Sequence, residues 1–392
     1  MKRFKLYFLL LLAVMQVGAQ EKLDSIEVSL ITCSPGHEVY SLYGHTAIRC
    51  QDFTRGADFV FNYGVFSFSQ PHFMWRFVLG KCDYMVDAMP WAYFLPEYEK
   101  RGSRVTAQVL NLSQEEANRL FRNLIENCRK ENCEYRYNFL YNNCTTKARD
   151  IIERSVDGEV EYAPMMNKRT YREILHEYAG SNTWESEGND MLLGWAVDTI
   201  LDDRSQMFAP EYMLQYAQDA CIRNLRGDAK PLVKRTDILV EKRPVSVPPF
   251  LPVSPLVAGL LLLAFALLIV GIEYACHYML WFWDVILLLL QGLTGCLLTF
   301  MLLFSEHPAV NTNWLIWLFS PIALISLPGV VSAAWKRKKT LWHAVNFTIL
   351  TSFMVFSPWI PQDFGDIIVP LALVLLSRPI SYYLFYQHKK EK

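Results

Sequence analysis

A surplus of positive charge is missing from this 392-residue sequence, in which 38 Lys and Arg stand against 39 Asp and Glu. Without a broad cationic field there is nothing to neutralise a phosphate backbone, so nucleic-acid binding has no electrostatic support. No Gly-rich phosphate loop and no Cys/His metal spacing occurs either, and no cofactor is expected. Charge of either sign is scarce in residues 251–392, where 8 basic and 6 acidic side chains make up roughly a tenth of the stretch. The first 250 residues hold the other 63 charges, roughly a quarter of their length. With 52% hydrophobic residues overall, the chain therefore divides into a soluble part and a membrane-embedded part.

The N-terminus reads as a secretory signal over 1–19. Lys2, Arg3 and Lys5 precede an apolar run, and Val17-Gly18-Ala19 forms a small-residue cleavage site before Gln20. Cleaved or retained as an anchor, it sends the soluble part out of the cytoplasm, into the periplasm of a diderm host. A Pro-rich stretch over 244–255 cannot continue a helix and makes a linker. Beyond it lie apolar runs over 256–272, 279–304, 314–335, 342–360 and 367–386, each near the ~20 residues that cross a bilayer core. Five crossings starting outside put Lys336-Arg337-Lys338-Lys339 and the 389–392 tail inside, as the positive-inside rule requires. The expected organisation is a signal peptide (1–19), a catalytic domain (20–180), an extension with linker (181–253), a five-span inner-membrane domain (254–388) and a cytoplasmic tail (389–392).

Seven cysteines fall between Gln20 and Val253, namely Cys33, Cys50, Cys82, Cys128, Cys133, Cys144 and Cys221. In an oxidising compartment an odd number leaves at least one thiol free. Cys144, Ala148, Ile151 and Ile152 share one face at helical spacing, with Asn143 as the N-cap before them. A thiol at that end of a helix lies in the positive field of the macrodipole, which favours the nucleophilic thiolate. The same spacing also suits a structural cysteine or half of a disulfide, and Cys128 with Cys133 is one conceivable pair.

The candidate base is His45, in the strand-like run Tyr43-Gly44-His45-Thr46-Ala47-Ile48-Arg49. His37 and His72 compete for that role. Asn62, in the next strand-like run, could reach the His45 ring from a neighbouring antiparallel strand and fix its tautomer, the third-group role of a Cys/His/Asn arrangement.

The order His, Asn, then Cys on a helix reverses the papain order and resembles the circularly permuted papain-like fold of NlpC-type domains. The sequence is also similar to the Lnb family of lipoprotein N-acyltransferases from Bacteroidota-type bacteria. The resemblance rests on Thr32-Cys33-Ser34-Pro35-Gly36-His37-Glu38, Tyr43-Gly44-His45-Thr46-Ala47-Ile48-Arg49, Phe61-Asn62-Tyr63-Gly64, Asn143-Cys144-Thr145-Thr146 and Ser305-Glu306-His307-Pro308. It implies an α+β, permuted papain-like domain ahead of an all-α membrane domain, with Cys144 as nucleophile and His45 as its base. Asn62 as the orienting residue follows from the permuted fold. The implied reaction moves an acyl chain from a phospholipid, through a Cys144 thioester, to the N-terminal cysteine amine of a diacylated lipoprotein. The alternatives are a membrane-tethered thiol hydrolase acting on peptidoglycan peptides or phospholipid esters, and a sensor or scaffold with a structural thiol.

Other features carry less chemistry. Aromatic clusters at Phe66, Phe68, Phe73, Trp75 and Phe77 and over 89–95 suit an acyl pocket, a membrane interface or a sheet core. Glu306 and His307 fall in an outward loop and suit either a headgroup contact or the end of a span. Asp284 is expected to snorkel as a boundary residue. Ser113 with Glu116, and Thr170 with Glu173, are capping boxes that open two structural helices.

Overall fold

A computed structural model describes residues 26–66, 71–244, 251–336, 338 and 340–388. The expected signal peptide and tail, residues 245–250 of the linker, Phe68, Arg337 and Lys339 lie outside the described residues. The described residues form two compact units, one within 26–73, 81–169 and 201–244, the other within 74–80, 170–200 and 251–388. Residues 201–244 pack with the N-terminal unit, and 170–200 with the helical one.

The first unit is built on strands β1 (Ile26–Cys33), β2 (His45–Asp52), β3 (Ala57–Val65), β4 (Asp83–Pro90), β5 (Val105–Leu110) and β6 (Glu134–Arg136). Short strands β7 (Glu159–Glu161), β8 (Cys221–Arg223) and β9 (Ala229–Pro231) form a separate three-stranded sheet. The last strand, β10 (Val233–Val240), returns to the main sheet, whose order is β10-β5-β1-β2-β3-β4-β6. Every neighbouring pair in it is antiparallel.

The strands alternate with period two and are covered on both faces. Val28, Leu30, Ile48 and Phe61 pack on one side against Leu120, Leu124, Ala148, Ile151, Ile152 and Met213, which come from helices Gln114–Asn127, Cys144–Glu153 and Pro210–Gln218. Ile31, Cys33, Ala47 and Val60 pack on the other against Phe94 and Tyr98, from helix Trp91–Arg101. Coverage of both faces buries β1 along nearly its whole length, Ser29 and Thr32 included. The capping box of Ser113 and Glu116 opens the Gln114–Asn127 helix as the sequence suggests. The aromatic residues divide: Phe73 and Phe94 are buried and Phe66 stacks on Phe73 and Tyr84 with centroids 5.9 and 4.9 Å away, whereas Trp75, Phe77 and Tyr93 are exposed.

The helical unit holds five apolar helices, Pro255–Cys276, Trp281–Phe304, Ile322–Trp335, Leu341–Phe356 and Ile368–His388. Pro255–Cys276, Trp281–Phe304 and Ile368–Phe385 are long and apolar enough to cross a membrane, whereas Ile322–Trp335 is a shorter apolar helix of 14 residues. The apolar run at 314–335 begins in a 3-10 turn, Trp314–Ile316, and its α-helix starts only after Pro321, a residue that suits a first turn and cannot continue a helix. The run at 342–360 likewise ends its α-helix at Phe356 and closes in the turn Ser357–Trp359.

Asp284 is not the snorkelling boundary residue that its position suggested. It is 1% exposed and, with Glu273, encloses Arg378. The guanidinium donates to Asp284 Oδ1 at 2.8 Å and to both Glu273 oxygens at 2.9 Å. Buried apolar surroundings make an unpaired charge costly, so one cation shared by two carboxylates welds the first, second and fifth apolar helices together. Glu306 and His307 sit on the segment 74–80 of the same unit: the Glu306 amide donates to the Leu79 carbonyl at 2.9 Å, and His307 Nε2 bonds the Phe77 carbonyl at 2.5 Å.

Candidate active site

Three pieces of the first unit converge on one thiol. The first is the start of β2. Gly44 holds a φ of +75°, and a Cβ there would lie 2.7 Å from the Cys33 carbonyl oxygen, so only glycine lets the chain turn this tightly into the strand. His45 follows at once, opposite Cys33 in the β1–β2 ladder. The second piece is β3, whose Phe61 pairs with Ile48. His45 and Asn62 both lie an odd number of residues from that pair and so share the other face of the sheet. His45 Nε2 and Asn62 Oδ1 are 3.1 Å apart.

The third piece is the Cys144–Glu153 helix. Asn143 caps it, its side-chain oxygen accepting from the Thr145 and Thr146 amides at 2.9 and 3.0 Å while its amide group donates to the Phe139 and Phe208 carbonyls. The Thr146 hydroxyl accepts from the Asn143 amide at 2.9 Å, completing a capping box. The Thr46 and Thr145 hydroxyls bond each other at 3.0 Å and tie this helix to β2. Ala148, Ile151 and Ile152 are buried as their spacing suggests, and Cys144 is half-buried at the helix N-terminus.

Electrostatics make this thiol unlike its neighbours. Burial would raise the Cys144 thiol, but the charge of His45, a hydrogen bond from its ring and the Thr46 amide outweigh that, and the thiol is lowered below its ordinary value. Burial would lower His45, yet the Cys144 charge and hydrogen bonds with Cys144 and Asn62 raise it. These opposite shifts favour the charged form of each partner, thiolate on Cys144 and imidazolium on His45. Burial pushes the thiols of Cys33, Cys50 and Cys133 up, and that of Cys128 to about 12. Cys128 and Cys133 do not pair, and both are free, as are Cys33, Cys50, Cys144 and Cys221. The competing His37 and His72 are exposed.

The structure thus brings Cys144, His45 and Asn62 together. It also adds residues that sequence reasoning missed. The Tyr98 ring lies parallel to the His45 ring, with centroids 6.4 Å apart, and bonds the Cys33 thiol. Tyr135 and Tyr137 stand beside Gly64 and Cys144. Gly64 belonged to a quoted motif, which was the available signal for this wall; the tyrosines had none, because they arrive through the β4–β6 pairing. Among the described residues, no group of three or more His, Cys, Asp or Glu side chains converges as a metal site would need.

Fold and site together define an α+β domain in which a cysteine, a histidine and an asparagine meet, joined in one chain to a bundle of apolar helices. Residues 14–177 match the family model described as the Lnb N-terminal periplasmic domain, and residues 248–390 match the Lnb transmembrane domain. The chain belongs to the Lnb family and is a membrane protein with a periplasmic N-terminal domain. No curated protein and no solved structure matches it.

Proposed function

We propose that this protein is a membrane-anchored periplasmic thiol acyltransferase that N-acylates lipoproteins, with Cys144 as nucleophile, His45 as its acid and base, and Asn62 orienting the imidazole. The observation that carries the reading is the paired shift of Cys144 and His45 at a capped helix N-terminus, the signature of a nucleophile poised before substrate arrives.

The Cys144 thiolate attacks the ester carbonyl of a phospholipid, forming an S–C bond. As the tetrahedral intermediate collapses, the ester C–O bond breaks and the His45 imidazolium gives its proton to the departing lysophospholipid alkoxide. The acyl chain now rests on Cys144 as a thioester. The α-amine of a diacylated lipoprotein cysteine then attacks, neutral His45 takes the proton from the nitrogen, and the C–S bond breaks to leave an amide and restore the thiolate. Asn62 holds the ring so that Nε2–H is engaged and Nδ1 serves the thiol.

Joining this chemistry to apolar helices has a physical rationale. Drawing an acyl chain into water costs ~0.8 kcal/mol per methylene, on the order of 11 kcal/mol for ~14 of them. A membrane-anchored enzyme at the inner membrane, with five crossings and both basic clusters inside, avoids most of that penalty. The test is to express the chain in cells lacking lipoprotein N-acylation and read lipoprotein N-termini by mass spectrometry. Triacyl forms are expected. Persistent diacyl forms despite confirmed export contradict the reading, and free fatty acid released in their place points to the hydrolase.

A further inference from the structure

Every acyl transfer through a thiol places a negative charge on the former carbonyl oxygen, and that charge needs a donor. At the Cys144 helix cap Asn143 already occupies the Thr145 and Thr146 amides, so neither of these donors serves that oxygen. The opening beside Gly64 supplies what is missing. Gly64 has a φ of +86°, and a methyl group added to it would find the Tyr137 ring at 3.6 Å, Cys144 Cβ at 3.8 Å and the Tyr135 hydroxyl at 4.0 Å. These are ordinary contact distances, so the missing side chain leaves a methyl-sized space bounded by the thiol's own carbon and a phenol.

The Tyr135 hydroxyl is buried, and its proton has no acceptor among the described residues. A buried polar group without a partner costs about 1–3 kcal/mol and calls for an explanation. The ring is held firmly in place: Tyr63 packs edge-on at 6.2 Å, Lys147 Nζ lies 4.6 Å from its centroid, and β6 pairs Tyr135 with Tyr84. The Gly64 amide faces the phenol oxygen as a donor, which meets a lone pair and leaves the phenol proton without an acceptor.

We propose that the space beside Gly64 is the oxyanion pocket of this site and that the Tyr135 hydroxyl is its donor. The inference rests on the acyl-transfer reading of Cys144. When the S–C bond forms, the carbonyl π electrons move onto oxygen, which turns into the space and accepts from Tyr135. The phenol keeps its proton throughout, and the charge returns to the carbonyl as the leaving group departs. Burial, and then the neighbouring Cys144 charge, push the Tyr135 phenol above its ordinary value, which keeps it a donor at neutral pH. The glycine is explained by the same geometry, since any side chain at position 64 fills the pocket.

The experiment compares two reactions of Cys144 in the full chain in micelles. Acylation by a p-nitrophenyl ester passes through an oxyanion and is read as a nitrophenolate burst. Alkylation by iodoacetamide displaces iodide at a methylene and forms no oxyanion. Tyr135→Phe is expected to slow the burst by about 10²-fold, within the range for one lost oxyanion donor, with half-saturation by ester and the rate and pH profile of alkylation unchanged. A Tyr135→Phe burst within about threefold of wild type overturns the proposal, because one donor is worth far more than that. A parallel fall in alkylation also overturns it, because Tyr135 would then merely position the thiol. A wild-type chain that is alkylated but shows no burst removes both the proposal and the acyl-transfer reading. A Tyr135-dependent burst in a chain that never N-acylates lipoproteins keeps the pocket and removes only the lipoprotein acceptor.

Discussion

His45 Nε2 and the side-chain oxygen of Asn62 lie 3.1 Å apart, so one of the two ring nitrogens is engaged by an acceptor. An amide oxygen accepts only a protonated nitrogen, which puts the neutral tautomer's proton on Nε2 and leaves Nδ1 for Cys144.

This bond has a pH signature. Burial lowers His45, while Cys144 and then the Asn62 bond raise it to a net upward shift; the Cys144 thiol is shifted down. The thiolate is therefore gained as pH rises through the lowered thiol value, and the imidazolium is lost as pH rises through the raised imidazole value. Removing the Asn62 acceptor lowers the second limit. In Asn62→Ala, the alkaline limb of the rate of Cys144 alkylation against pH should move to lower pH, and turnover should fall by about 10²-fold. An unmoved alkaline limb would show that Asn62 does not tune the ring.

The buried Arg378 gives a second expectation. Its two partners, Glu273 and Asp284, are each 1% exposed, and Glu273 also accepts from the Ser381 hydroxyl. Replacing the cation alone strands two carboxylates, so Arg378→Met should cost about 3–5 kcal/mol, the range for breaking a buried pair. Thermal unfolding in micelles reads this directly. Adding Glu273→Gln and Asp284→Asn to the same chain should recover much of the loss; a single variant as stable as wild type would mean the triad contributes nothing to the helical unit.

Much of the site was legible because its signals are local. Asn143 before an apolar helical stripe announces a capped helix, and alternation around Gly44 and Gly64 announces two short strands whose pairing brings His45 to Asn62. The rest depends on partners far away in sequence. Asp284 looks like a boundary charge until Arg378 arrives 94 residues later. Tyr135 belongs to a three-residue strand too short to show a period. The edge strand β10 escaped because Lys234, Arg235 and Asp237 along it read as a solvated extension, when charged side chains are what an exposed sheet edge uses to avoid further pairing. Pro321 divides an apolar run that composition alone presents as one crossing.

The central claim is that an acyl chain passes through Cys144, and trapping it there is the most direct test. The full chain would be incubated with phospholipid vesicles of defined acyl composition, quenched in acid, and the Cys144 peptide analysed by mass spectrometry. The account predicts one acyl chain on Cys144, labile to hydroxylamine, absent in Cys144→Ala and His45→Ala chains that remain folded and membrane-inserted, and discharged by a diacylated lipopeptide with a free α-amine but not by its N-acetylated form. A Cys144→Ala chain that still N-acylates lipoproteins, or a wild-type chain that turns over with its acyl group on another residue, would contradict it.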